Sequence, residues 1–208
     1  MKETPLQIEG IFENIYAGFG LRLGSILLDF LCLIPVTFLL LYVNSLSKEM
    51  FYYTIIPNLL FSIWYNIYLT KRYGGTPGKL IVGIQIIRID GKPIDWKEAI
   101  MRHIVMFGLT LFGTVIMIIA LMQADDEIYQ SLGWLQQTQY LMTLAPVLFM
   151  INTWASNIWV YSELIVLLTN PRKRAIHDFM AGTVIVKKMY IEKINRTMYP
   201  EEYPENGA

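Results

Sequence analysis

The stretch LRLGSILLDFLCLIPVTFLLLYV, residues 21–43, decides the fold. A bilayer core requires about 20 consecutive, predominantly apolar residues in a helix, and this run supplies them with Arg22 and Asp29 as its only charges. It is too long for a signal-peptide core and has no small-x-small cleavage site, so it reads as part of the mature chain. Residues 50–70, 100–122 and 141–169 are apolar in the same way. The expected fold is therefore an all-α polytopic membrane protein with four transmembrane helices. Composition points the same way, because 54% hydrophobic and 16% charged residues do not suit a soluble domain of 208 residues. Lys+Arg 17 and Asp+Glu 17 cancel, which leaves no basic field to argue for nucleic acid.

Orientation follows from where the basic residues sit. Lys71, Arg72, Lys79, Arg88, Lys92 and Lys97 lie between the second and third spans, and Arg172, Lys173, Arg174, Lys187, Lys188, Lys193 and Arg196 follow the fourth. The segment 123–140 carries Asp125, Asp126 and Glu127 but no Lys or Arg. Both termini are therefore expected in the cytoplasm. The expected organisation is a cytoplasmic N-terminal segment, 1–16, a membrane domain, 17–189, and a disordered cytoplasmic tail, 190–208.

Within the loop between spans two and three, Ile84 to Ile89 is too short to span and rich in β-branched residues, so it reads as a strand. Asp90-Gly91 supplies turn residues for a cytoplasmic β-hairpin over about 79–95, although Pro93 makes any return strand short. Thr183 to Lys187 is a second β-rich run with which the first can pair.

Ionisable groups inside a span cost several kcal/mol and persist when paired, hydrated or useful. Arg22 and Asp29 are seven residues apart and so share a helix face to within about 20°. At 1.5 Å per residue Asp29 lies about 10 Å deeper than Arg22, and it needs a partner. Arg22, Arg102 and Arg174 are candidate structural partners. Glu163 is expected at a similar depth in the fourth span, where it shares a face with Asn152 and Ser156; Asn66 lies on a polar stripe of the second. Such stripes also serve plain helix packing. As a site, Asp29 and Glu163 with Asn66, Asn152 and Ser156 point to proton or monovalent-cation exchange, because two close carboxyls in low dielectric do not both ionise without a cation between them.

Other chemistries lack their residues. Gly74 to Lys79 resembles a phosphate loop only faintly, since Leu80 stands where Ser or Thr is needed, so no nucleotide is expected. His177-Asp178 has no serine or cysteine nucleophile in a recognisable elbow. One cysteine, Cys32, and two histidines make no metal site. The expectation is a non-enzyme without cofactors or metals.

Three segments together resemble the RDD family of bacterial integral membrane proteins: Tyr16-Ala17-Gly18-Phe19 with Arg22 and Asp29; Gly75-Thr76-Pro77-Gly78-Lys79 running on to Asp90-Gly91-Lys92-Pro93; and Arg174-Ala175-Ile176-His177-Asp178 with Ala181-Gly182-Thr183. The resemblance implies that Arg22, Asp29 and Asp178 are the name-giving residues, that Arg102 is a further family arginine, and that the protein lies in a bacterial cell membrane; Arg102, Arg174 and His177 are the expected supporting charges. Monovalent cation and proton antiport is associated with the family. The resulting expectation is a small carrier exchanging Na+, Li+ or K+ for protons. Four helices enclose little more than a packed core, so a homo-oligomer is expected. The rival expectation is a membrane scaffold that recruits a protein partner by strand addition to an exposed edge of the hairpin.

Overall fold

The computed structural model describes residues 3–202, and the chain divides into two compact units, each taken here by itself. The first unit comprises residues up to Cys32, Trp64–His103 and Ser162 onward; the second comprises Leu33–Ile63 and Ile104–Tyr161. In chain order the elements are α1 (Phe19–Leu46), α2 (Lys48–Ile63), a π turn (Trp64–Tyr68), α3 (Leu69–Tyr73), α4 (Pro77–Ile81), β1 (Ile84–Arg88) and α5 (Trp96–Gln123). Then follow α6 (Asp126–Ser131), α7 (Trp134–Leu144), α8 (Pro146–Thr169), α9 (Ile176–Ala181), β2 (Thr183–Lys187), a 3-10 turn (Lys188–Tyr190) and α10 (Ile191–Met198).

α1 and α5 are each long and apolar enough to cross a membrane, and α7 with α8, bent by 101° at their junction, add a third if the pair is one span. The bend is local chemistry: a residue before proline is pushed out of the α region, and Ala145 before Pro146 sits at φ −138, ψ 52. Residues 141–144, expected in the fourth span, thus belong to α7. The stretch expected as the second span is divided among α2, the π turn and α3, with Pro57 inside α2.

In the first unit β1 and β2 pair antiparallel, Ile84 opposite Lys187 and Arg88 opposite Thr183. The hairpin expected over 79–95 is therefore corrected. Pro93 has no N–H for a ladder, the return is a single bridge from Ile87 to Pro93, and the strand's main partner is the 183–187 run. Both faces are buried, which explains why apolar residues stand on both sides of the strands. Ile84, Ile86 and Ile185 pack with Ala17 and Ile94, while Ile87, Val184 and Val186 pack with Ile11, Ile15 and Tyr16. The edges are also occupied. Beside β2, Lys187 N–H donates to Ile15 O and Ala17 N–H to Ile185 O, both at 2.9 Å; beside β1, Ile86 N–H donates to Gly74 O at 2.7 Å and Arg88 N–H to Lys92 O at 2.9 Å. The exposed edge on which the scaffold expectation rested is absent among the described residues.

The tail expected to be disordered from residue 190 is helical through Met198. Ile191, Ile194 and Met198 fall on one face of α10 and join the same core, with Ile194 fully buried, so burial of that face offsets the ordering entropy. Residues 203–208 of that expectation lie outside the described residues.

The N-terminal segment is held down by Thr4, also fully buried: Thr4 N–H donates to Ile89 O at 2.7 Å, and the Tyr16 hydroxyl meets Thr4 Oγ1 at 2.9 Å and Pro5 O at 2.7 Å. Tyr16→Phe removes that hydroxyl and should cost about 1 kcal/mol. The expected readout is faster proteolytic trimming of residues 3–12 with the rest of the chain intact; unchanged trimming would show that packing alone holds the segment.

In the second unit, Ile116, Leu121, Tyr129 and Leu141 form the core. The Asp125 side chain caps α6 by accepting from Glu127 N–H and Ile128 N–H. Lys48 ties α2 to this segment through Asp126 at 2.5 Å and Ala124 O at 2.6 Å.

Candidate functional site

Buried charge in the first unit gathers at two places, one around Asp178 and one around Asp29. The first centre is Asp178, fully buried on α9. Its Oδ2 accepts from Arg22 Nη1 at 2.8 Å and from Ala175 N–H at 2.9 Å, closing the first turn of α9, and its Oδ1 accepts from Arg102 Nη1. Arg102 Nη1 also donates to Thr183 Oγ1 at 2.5 Å, and Arg22 reaches the backbone carbonyls of Ala17 and Lys173. Arg174 serves the same group from outside, donating to Thr183 O and Asp178 O at 3.0 Å and stacking 4.0 Å from the Phe179 ring centre. Burial by itself would raise the Asp178 carboxyl, but Arg102 and Arg22, helped by His177 and the Ala175 N–H, more than reverse it and hold it well below the usual carboxylate range. It is a permanent anion between two permanent cations.

The second centre is Asp29. Its Oδ1 accepts from the Tyr65 hydroxyl and from Gly78 N–H, both at 2.7 Å, and its Oδ2 accepts from Thr76 Oγ1 at 2.5 Å. The Lys79 ammonium stands 3.8 Å from Oδ2 and donates to Thr76 Oγ1 at 3.0 Å, so a hydroxyl relays between ammonium and carboxylate. Local structure explains each placement. Tyr65 lies in the π turn, where one extra residue rotates it relative to the α2 stripe. Thr76 precedes Pro77, and both sit where a helix begins. Gly78 is the point of closest approach: a Cβ there would strike the Ser25 carbonyl and come within 2.7 Å of Asp29 N and 2.8 Å of Asp29 Cγ. Burial pushes the Lys79 ammonium down to about 8, against the opposing pull of Asp29.

The carboxylate pairing expected between Asp29 and Glu163 is not formed. Glu163 Oε2 is 2.5 Å from His177 Nδ1, and its Oε1 accepts His177 N–H at 2.9 Å. His177 Nε2 lies 3.6 Å from Asp178 Oδ1, so Glu163 belongs to the Asp178 group. The reason is that α9 returns beside the end of α8 and offers an imidazole at Glu163's own depth. Nor do Arg22, Arg102 or Arg174 serve Asp29, because Asp178 takes all three. Asn66 lies in the π turn beside Tyr65, while Asn152 and Ser156 belong to the second unit. Tyr65, Thr76 and Lys79 were missed in the sequence. Thr76 and Lys79 lie in a Gly- and Pro-rich stretch that reads as a turn, and the π turn carried no signal.

Apolar helices of membrane-crossing length, two of which carry arginines paired with the buried Asp178, define a membrane-type helical protein. The chain belongs to the RDD family, whose profile matches residues 16–182. It is similar to the uncharacterized protein YckC of Bacillus subtilis (strain 168), with 35% identity over 120 residues, covering 50% of this chain and 74% of that relative. No solved structure matches it.

Proposed function

We propose that this protein is a carrier of the bacterial cell membrane, with four spans and both termini cytoplasmic, that exchanges a monovalent cation for a proton at Asp29 and is not an enzyme. The carrying observation is the Asp29 cluster: a carboxylate inside α1 with two hydroxyls and an ammonium around it. A Na+, Li+ or K+ ion settling on the carboxylate, with the Tyr65 and Thr76 oxygens at hand, takes the counter-charge that held the Lys79 ammonium. The displaced ammonium, already near the solution pH in its proton affinity, gives up one proton. Site charge is zero before and after, so the expected exchange is one cation for one proton. A homo-oligomer would supply the walls of a pathway that four helices alone do not.

The expected result in liposomes loaded with a pH dye is cation-dependent proton movement by the wild type over about pH 7 to about pH 9, the range in which Lys79 titrates. Asp29→Asn and Lys79→Gln should both reconstitute as folded protein and lose it. Proton movement that survives either substitution, or a wild type that moves none with any of the three ions, ends this reading.

A further inference from the structure

An open groove of about 610 Å³ lies in the first unit, where β2 runs out beside the start of α1. One wall is apolar: Leu21 of α1, Val82 at the end of α4, and Met189, which is 71% exposed. Leu21 and Val82 also pack against the sheet residues Ile84, Ile86 and Ile185, so this wall is held in place by the core. The other wall is charged, and its charges are not alike. Lys187 is paired with Glu13 and lies 5.8 Å from the Tyr190 ring centre, and Glu192 is paired with Arg196 at 2.5 Å. The Lys188 ammonium has no such partner among the described residues; only its backbone is tied, the N–H donating to Gly83 O at 2.8 Å. The groove therefore presents one uncompensated ammonium opposite an apolar wall.

We infer that this groove seats one anionic phospholipid, with the phosphodiester on Lys188 and an acyl chain along the apolar wall. α1 is of membrane-crossing length and begins at Phe19, so Leu21 and the residues facing it stand at the level of the lipid headgroups. From there the apolar wall runs on toward the hydrocarbon. Gly24, Leu28 and Leu31 follow Leu21 on one stripe of α1, and Leu31 is exposed. An added Cβ at Gly24 would meet nothing within 4 Å, so the glycine notches the stripe where a chain can lie. A water-soluble anion would use the ammonium and leave Leu21, Val82 and Met189 wet, whereas an uncharged apolar ligand would leave the ammonium unmatched; a phospholipid satisfies both. The open shape agrees, since the greater part of such a ligand stays in the bilayer. One molecule seated there touches α1, the end of α4 and the turn after β2, three segments far apart in the chain.

Direct binding tests this site without any transport, so it stands or falls apart from cation exchange. The full-length protein, delipidated in a neutral detergent, is titrated with dioctanoyl phosphatidylglycerol or with phosphatidylcholine of the same chains, and bound lipid is counted by native mass spectrometry. The expected result is one phosphatidylglycerol per chain, held about fivefold more tightly than phosphatidylcholine, the share of one lysine near an anionic headgroup. Lys188→Gln should lose that preference and leave the lipid-free thermal midpoint unchanged, because the side chain is exposed and makes no internal contact. Lys188→Arg should keep the preference. Lys193→Gln removes the same charge from an exposed position on α10 outside the groove and should change nothing. Met189→Ser should weaken both lipids alike. Equal affinity for the two headgroups, or equal losses in Lys188→Gln and Lys193→Gln, would reduce the groove to general surface charge and overturn the inference. Displacement of the lipid by inorganic phosphate or by triglutamate at matched concentration would overturn it too, by making the groove a site for a soluble anion or an acidic peptide.

Discussion

Asp178→Ala should be the most damaging single substitution in the chain, lowering stability by about 3–5 kcal/mol, because it strands two buried guanidinium groups. Folded proteins hold only about 5–15 kcal/mol in reserve, so the expected outcome is a large fall in the thermal midpoint in detergent and little recoverable monodisperse protein. Arg22→Ala should cost less, since Asp178 would keep Arg102, the Ala175 N–H and Thr183. Linkage gives a second readout through Asp178→Asn. A carboxyl held below its unfolded value of about 3.9 contributes stability above that pH and loses it only as the pH falls through the depressed native value. The gap between wild type and Asp178→Asn should therefore stay level from neutral pH to about pH 4 and close below it. A gap that closes between about pH 7 and about pH 5 would assign the stabilisation to a group other than Asp178.

Gly78→Ala should be the second most damaging. In an ordinary helix the change is favourable by about 0.5–1 kcal/mol, and at Gly108, where an added Cβ meets nothing within 4 Å, the expected effect is neutral or mildly stabilising. At Gly78 the added atom meets the backbone of α1 at Ser25 and Asp29, which cannot swing aside as a flexible side chain can. Overpacking of this kind costs about 1–3 kcal/mol, and any retreat of α4 also stretches the Gly78 N–H bond to Asp29. Comparing the two alanine variants by thermal midpoint isolates the close approach from helix propensity. Equal effects at the two positions would mean that α4 shifts freely and does not position Asp29.

How much of this was open to the sequence divides along physical lines. Hydropathy is a property of a window, so the apolar helices and the β-branched run at Ile84 to Ile89 could be read directly. The partner of that run could be offered only as a choice, and Pro93, which ruled against the local return, was the informative residue. The depth of Asp29 followed from helical rise, but its partners did not. Tyr65 reaches it through a π turn that no periodicity announces, and Thr76 and Lys79 through a short helix that reads as a loop. Glu163 was placed at a plausible depth and then claimed by His177, a residue whose position depends on the chain returning after α8. The disordered tail was misread because α10 is short and polar on average; its three apolar residues matter only when a sheet face is there to receive them.

The sheet has a consequence for biosynthesis. Its two strands lie at 84–88 and 183–187, and residues 15–17 cover its far edge. A ribosome must therefore pass residue 187 before β1 can complete its pairing with β2. Until then Ile84, Ile86 and Ile87 are exposed to chaperones and proteases. A chain cut short before Thr183 lacks the strand with which β1 pairs.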